Sequence, residues 1–527
     1  MLILHPTIYL GPTGESTDAL LVREGRVQAV GDDARDRRRD GERVLEPDAA
    51  CLFPGLADAH CHLWGLGRRA GSVELSGASR WTDVEEALRA VDIENLEAGW
   101  VLGRKWDEHD WEDVDSAADR DWRGKLDALF PQTPVCLHRV DHHAVIVNSA
   151  ALERAGYTDG ATAATTGGRV VRDDTGRLTG LLVDEAMDPV LDAIPPPGVD
   201  EDRKMFLEAA DQYLDFGITC AHIARTEIDR IDMVRRLHDD DELPLRMHLF
   251  ADGEDERLPG LLEEGPQHGT DGWLACRGVK YFADGALGSG GALLLDSYAD
   301  GSSGLEVTSR GGLRDHAKAL IESGWQMAVH AIGDRGARNV LDAYEAASAS
   351  ARNAVRPRLE HAQMLTDEDS ARMGELSTIA SIQPIHMYSD AAWADEVLDA
   401  EQLDRLFPWR RLHNVTTLAA GSDFPIEDPN PWHGIATAIT RRDASGRIFH
   451  DDQALTRSEA LAAYTTGAAF AAHWEDRLGQ LEPGFAADVI ALDIDPFRAT
   501  PDEIWEAEVL ATLLGGRTVD SVGSVGR

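Results

Sequence analysis

Short hydrophobic runs that end in a polar or ionisable residue recur along the middle of this 527-residue chain. Such runs are typical of buried strands, and the amphipathic segments between several of them have helical spacing. Strands alternating with helices predict an α/β fold, a (β/α)8 barrel of the TIM type. The first of the eight predicted strands, in the stretch that begins at Phe53, leads to His60, and the other seven span residues 217–222, 244–250, 278–280, 326–330, 358–361, 379–383 and 416–423.

Both ends of the chain have a different pattern, short alternating strands separated by Gly and Asp. We expect residues 1–52 and 478–527 to form one composite β-sandwich domain, with the barrel occupying residues 53–477.

Residues 68–202 form an interval too long for a single crossover between two barrel strands. The interval is rich in Trp and Asp and contains a hairpin-like stretch at residues 167–176. We therefore predict a structured insertion after the first strand, placed to cover the mouth of the barrel.

The charge balance is strongly acidic, with 94 Asp and Glu against 51 Lys and Arg, a net charge of −43. Only five of the basic residues are lysines. Acidic residues spread over the whole chain with so few lysines are typical of halophilic proteins, so we hypothesise that folding requires salt. The same field repels nucleic acid and anionic membranes, so we expect neither as a partner.

Five cysteines are scattered without Cys-x-x-Cys spacing, which indicates small buried residues of a reducing compartment. The first residues lack the features of a signal peptide, and no uncharged run approaches membrane-spanning length. These features predict a cytoplasmic protein.

Six ionisable residues lie at predicted strand ends, where such barrels carry their chemistry. Imidazole and carboxylate groups suit a zinc-type divalent cation, and a set of this size suits one or two ions. Taken singly, each residue has a structural alternative, such as a core histidine, a strand cap or a helix N-cap. Taken together in this strand order, they favour a metal centre. The six residues are His60, His62, Lys280, His330, His361 and Asp423.

Lys280 is unusual because the chain has so few lysines and this one lies at a predicted strand end. Its structural alternative is a lysine whose stem packs on apolar residues while the amine reaches water. If it is buried, the charged form is disfavoured, and the neutral amine can react with carbon dioxide. The resulting carbamate would bridge two cations.

Several motifs together resemble the amidohydrolase superfamily, in particular its family-3 branch, which contains N-substituted formamide deformylase. The resemblance runs from about residue 52 to residue 497. It rests on the motifs Pro54-Gly-Leu-Ala-Asp-Ala-His60-Cys-His62, Gly278-Val-Lys280-Tyr-Phe-Ala-Asp284, His330-Ala-Ile-Gly-Asp334, Arg358-Leu-Glu-His361 and Gly421-Ser-Asp423-Phe-Pro.

This resemblance implies that His60 and His62 hold one metal ion, that His330 and His361 hold a second, and that carbamylated Lys280 bridges them. Asp423 would bind the first ion and shuttle the proton. The implied reaction is hydrolysis of a non-peptide, amide-type carbon–nitrogen bond in a small-molecule substrate by metal-activated hydroxide. Weaker candidates for substrate binding are His222, Asp284 and Ser289.

The sequence departs from the family pattern at Gly290-Gly291 and at Ile223, near the expected substrate mouth. Substrate identity therefore stays open. One alternative function is hydrolytic deamination or cyclic-amide opening on the same scaffold, and another is a non-catalytic binding module. A homodimer is compatible with the size of the chain.

Overall fold

The computed structural model describes residues 1–64, 72–93, 96, 99–107, 111–113, 120–140, 144–159, 168–184, 186–195, 198–288, 290–299 and 301–518. Within them, strands β1 to β22 are, in chain order, Leu2–Tyr9, Ser16–Arg23, Arg26–Val30, Val44–Leu45, Cys51–Pro54, Leu56–Cys61, Val73–Glu74, Val101–Trp106, Val135–Arg139, Ala144–Val147, Gly168–Arg172, Leu178–Asp184, Ile218–Thr226, Arg246–Asp252, Leu274–Phe282, Gln326–Ala331, Arg358–His361, Ile379–Ile382, Leu418–Ala420, Val489–Leu492, Val509–Leu514 and Arg517–Thr518.

The α-helices of the described residues are mostly short, and several begin with a side-chain cap or with Pro in the first turn. They span Gly31–Asp36, Trp81–Arg89, Trp122–Leu129, Ser149–Arg154, Asp188–Ala193, Val199–Asp215, Ile228–Asp239, Leu258–Glu264, Arg310–Glu322, Asp334–Glu345, Ala349–Val355, Asp367–Glu375, Pro384–Asp390, Ala400–Leu403, Trp409–His413, Pro431–Thr440, Arg457–Ala463, Thr466–Ala471 and Pro501–Trp505. Two 3-10 helices span Ala394–Glu396 and Asp451–Gln453.

Eight parallel strands form the barrel, in the order β6-β13-β14-β15-β16-β17-β18-β19. The chain returns to the first strand after β19: Asp423 N donates to His60 O, and His62 N donates to Phe424 O, both at 2.7 Å. The predicted (β/α)8 barrel is confirmed, and each strand overlaps the hydrophobic run that predicts it. In the first run, which begins at Phe53, only residues from Leu56 onward belong to the barrel, and the preceding residues belong to β5.

A second sheet combines both ends of the chain in the order β22-β21-β20-β5-β1-β2-β3, with β4 paired to β1. Strand β5 pairs with β1 on one side and with β20 on the other. Only Gly55 separates β5 from barrel strand β6, and a Cβ there would lie 2.3 Å from Thr219 Oγ1. Glycine is therefore required at this junction.

The chain divides into two compact units: residues 1–63 with 207–527, and residues 64–206. The second unit contains a six-stranded mixed sheet, in the order β11-β12-β10-β9-β8-β7. Trp81, Trp106, Trp111 and Trp122 pack in one of its hydrophobic clusters. The hairpin predicted at residues 167–176 corresponds to the antiparallel pair β11 and β12.

Among the described residues, no helix combines the length and the apolar character needed to cross a membrane.

Candidate metal centre

The carboxyl-terminal ends of the barrel strands bring the six predicted residues together, because parallel strands all end on the same face of the barrel. The ring centroid of His60 lies 5.5 Å from that of His62 and 5.1 Å from that of His361. The rings of His330 and His361 are 4.4 Å apart. Lys280 Nζ lies 3.5 Å from His60 Nε2.

Asp423 joins these histidines through both of its carboxylate oxygens. Oδ1 lies 3.3 Å from His60 Nε2 and 3.2 Å from His62 Nε2. Oδ2 faces the other way and lies 3.6 Å from His386 Nε2. The backbone of Asp423 adopts φ 56°, a left-handed conformation that non-glycine residues seldom adopt. The hydrogen bond from its amide to strand β6 holds the residue in this position.

Two groups of side chains have the composition and spacing of a cation site. In the first, formed by His60, His62 and Asp423, the ligand atoms all lie within 4.8 Å of one another, and the same holds for His361, His386 and Asp423. His361 Nδ1 and His386 Nε2 are buried and make no hydrogen bond. Imidazoles converging on one carboxylate are the donor set that zinc-type ions prefer, so the residues fit a bound divalent cation.

The electrostatics favour the ligand form of most of these groups. Burial, followed by the charge of Lys280, lowers the pKa of His330 to about 3. Burial, followed by His330, lowers the pKa of His361 well below its ordinary value. Burial raises the pKa of Asp423, but His60 and His62 outweigh it and hold that pKa well below its usual range. Neutral imidazoles and an ionised carboxylate are the states that bind cations.

Lys280 is almost fully buried, with 1% of its surface exposed. Burial lowers the pKa of this amine to about 8, although Glu360 and Asp423 oppose the effect. At pH 7 roughly a tenth of such an amine is neutral, far more than for a surface lysine with a pKa of about 10.4.

His60 behaves differently from the other histidines because carboxylates face both of its ring nitrogens. Its Nδ1 lies 2.5 Å from Glu360 Oε2, and its Nε2 faces Asp423. Burial and Lys280 lower the pKa of His60, but the two carboxylates together raise it above the ordinary value.

Four residues of the site were not identified from sequence. Glu360 contacts His60, and Arg358 holds Glu360 with Nε donating to Oε1 at 2.7 Å. His386 lies in the helix that follows β18. A histidine three residues past the predicted strand end at Gln383 is the signal that could have revealed it. The fourth residue, Asp58, could be identified only from the structure.

Asp58 links the first and last barrel strands. Its Oδ1 accepts hydrogen bonds from His60 N at 3.0 Å and from Ser422 N at 3.1 Å. Its Oδ2 accepts from Ser422 Oγ at 2.5 Å and from Tyr213 OH at 3.2 Å. Burial raises the pKa of Asp58 to about 6, although these donors oppose it. The carboxylate thereby fixes the backbone on both sides of the site.

The three weaker candidates are placed differently from one another. His222 lies inside the barrel, 1% exposed, with Nδ1 3.1 Å from Arg358 Nη1. Asp284 accepts hydrogen bonds from the backbone amides of Leu293, Ile332 and Gly333, which organises the loops around His330. Ser289 lies outside the described residues. Contact of any of these with substrate stays a prediction.

The motifs that supply these residues extend over most of the chain, and a sequence model of the amidohydrolase family matches residues 50–520. The chain belongs to the amidohydrolase family. This assignment confirms the expected resemblance and makes the protein a metal-dependent hydrolase.

Relatives and solved structures agree with the amidohydrolase assignment. The chain is 32% identical to Protein LONG AFTER FAR-RED 3 of Arabidopsis thaliana, over 98% of this chain and 91% of the relative. It is 27% identical to the N-substituted formamide deformylase of Arthrobacter pascens, over 94% of each chain. A crystal structure of an uncharacterized metal-dependent hydrolase from Pyrococcus horikoshii superposes with a TM-score of 0.80 at 25% identity, covering 95% of this chain and 99% of that chain.

Proposed function

We propose that this amidohydrolase cleaves a non-peptide, amide-type carbon–nitrogen bond in a small molecule. The observation that carries the proposal is the position of Asp423, whose Oδ1 faces His60 and His62 and whose Oδ2 faces His386. Similarity to a relative named for its action on N-substituted formamides supports the amide-type bond.

The proposed cation ligands follow from these two groups. His60, His62 and Asp423 Oδ1 would hold one divalent cation. His361 would hold a second, together with His330 and with His386 beside Asp423 Oδ2. His330 Nε2 lies 3.4 Å from Gly285 O, so this nitrogen can donate to the carbonyl and leave Nδ1 for the cation. Zinc suits this donor set, as do iron, manganese and nickel.

When bound, such cations supply Lewis acidity, which acidifies a bound water and polarises a substrate carbonyl. Asp423 is ionised and therefore able to accept a proton from the attacking water. As the carbon–oxygen bond forms and the carbon–nitrogen bond breaks, Asp423 returns that proton to the leaving amine. The left-handed backbone at Asp423 directs the carboxylate into the site. From this position the same carboxylate can both take up and deliver the proton.

We also propose that Lys280 carries a carbamate. Its Nζ would form a bond to the carbon of carbon dioxide and lose a proton, which converts a buried amine into a carboxylate. The position of Nζ, 3.5 Å from His60 Nε2 and in the middle of the imidazoles, supports this assignment. A carboxylate there would offset part of the positive charge of two cations, which a neutral amine would not.

Two measurements test the proposed function. Elemental analysis of protein purified in high salt without chelator should give about two equivalents of divalent metal per chain. Amine release from a panel of N-substituted formamides and other N-acyl amines should then depend on that metal. About one equivalent, with ammonia released from amino-heterocycles instead, would favour hydrolytic deamination. Absence of both metal and turnover after metal supplementation would contradict the proposal.

A further inference from the structure

We propose that Glu360, held by Arg358, is a positioning residue that fixes the ring of His60 for cation binding. The inference rests on the proposed metal centre and extends it to residues that contact no substrate. Glu360 and Arg358 face the barrel interior from strand β17, since alternate residues of a strand point to the same side. Counted through the closure of the barrel, β19 and β18 lie between β6 and β17. The contact between Glu360 and His60 therefore crosses the interior.

The hydrogen bond between Glu360 and His60 determines which ring nitrogen is free. Glu360 Oε2 lies 2.5 Å from His60 Nδ1, and both side chains are buried. An ionised carboxylate only accepts hydrogen bonds, so Nδ1 carries the proton. In the neutral ring that a cation requires, the lone pair then lies on Nε2, the atom that faces Asp423 and Lys280. Glu360 thus selects the tautomer that a cation requires and fixes the plane of the ring.

Arg358 prevents Glu360 from turning away. Its guanidinium donates to both carboxylate oxygens, from Nε to Oε1 at 2.7 Å and from Nη2 to Oε2 at 3.1 Å. The same Nη2 donates to Ala59 O at 2.6 Å and to Ser381 Oγ at 2.9 Å. Since Ala59 directly precedes His60, one planar group holds both the carboxylate and the backbone of the ligand strand.

Stability alone does not explain this pair. Small barrels usually fill their interior with branched apolar side chains. Moving two charges into that interior costs desolvation free energy, and apolar side chains of similar volume often give equal or higher stability. The buried pair of Arg358 and Glu360 contacts the proposed ligand His60. Its role in fixing that ring explains why the charges are kept in the interior.

The test uses the full chain, freed of metal by a chelator in high salt and titrated with Zn²⁺ or Co²⁺. We expect Glu360→Gln to weaken cation binding by about 10- to 100-fold, the range seen when such supporting groups are lost. Glu360→Asp keeps a carboxylate between Arg358 and His60, one methylene farther from His60 Nδ1. It should fold more readily than the Gln variant and show a smaller loss of affinity.

A second buried arginine–carboxylate pair provides the matched control. Arg246 donates to Asp488 through Nε at 2.6 Å and Nη2 at 2.9 Å, away from the candidate metal ligands. Asp488→Asn should therefore lower thermal stability without weakening cation binding. Unchanged affinity in both Glu360 variants, or an equal loss in Asp488→Asn, would overturn the inference. Failure of the wild-type chain to bind a cation would instead overturn the proposed function.

Discussion

The backbone amide of Asp423 donates to the carbonyl oxygen of His60 at 2.7 Å, while the two side chains face each other across 3.3 Å. The contact that closes the barrel and a contact within the candidate metal centre therefore involve the same two residues. Formation of the site depends on closure of the barrel between β19 and β6.

Asp423→Asn tests the proposed proton transfer. The amide oxygen can still approach a cation, but the side chain cannot accept and return a proton. We expect turnover to fall by at least about 100-fold, the lower range for losing a general acid–base group, with metal still bound. Rates of amine release and metal content per chain check this expectation. Unchanged turnover would refute the assigned role.

His386→Ala tests the second cation group. Loss of the imidazole beside Asp423 Oδ2 should reduce the metal content from about two equivalents to about one, because the group at His60 and His62 is retained. His248→Ala is the matched control, since His248 is fully buried in the barrel but belongs to neither cation group. The control should keep its full metal content. If His386→Ala also keeps its full metal content, His386 is not a ligand.

His473 should make the protein sensitive to acid. Its Nε2 lies 3.1 Å from Val355 O, and burial, followed by Arg277 and Arg356, lowers the pKa of His473 to about 4. In the unfolded chain this pKa returns to about 6.5, so at pH values between the two only the unfolded state takes up the proton. The free energy of unfolding therefore falls as pH decreases through this window.

His473→Gln removes this titration and keeps a hydrogen-bond donor. Relative to this variant, the wild-type chain should lose stability as the pH is lowered from about 7 to about 4. Urea unfolding of both proteins across that range, in high salt, measures the difference. A difference that stays constant with pH would show that His473 does not titrate as expected.

Salt should stabilise the fold strongly. The net charge of −43 produces repulsion that reaches about 10 Å at 0.1 M salt and about 3 Å at 1 M. We expect the thermal midpoint to rise steadily between these concentrations of KCl. Sucrose at equal osmolality is the control, because it stabilises proteins without screening charge. Full stability and activity after dialysis to low ionic strength would exclude a salt requirement.

The sequence predicts the barrel strands and their terminal ionisable residues because both are local patterns. Lys280, His330 and Asp423 each lie within or just after a hydrophobic run, so their common face follows from the parallel topology. Contacts between distant strands carry no such pattern. The role of Glu360 depends on His60, 300 residues away in sequence, and only the folded barrel brings them together.

Asp58 illustrates the same limit. Its place in Ala57-Asp58-Ala59 indicates a buried strand, but nothing local identifies Ser422 and Tyr213 as its partners. From sequence alone Arg358 is indistinguishable from an ordinary strand residue. In the structure it is one of the largest fully buried side chains among the described residues. Buried polar networks of this kind are determined by packing.

The junction at Gly55 also affects the order of assembly during synthesis. Strand β5, one residue before β6, pairs with β20, which is synthesised after every proposed metal ligand. Strand β5 can pair with β1 early, but it gains its second neighbour only after all the proposed metal ligands have been synthesised. Nascent chains ending before Val489 would carry every proposed metal ligand yet lack β20, so the strand before the first candidate ligands would be paired on one side only.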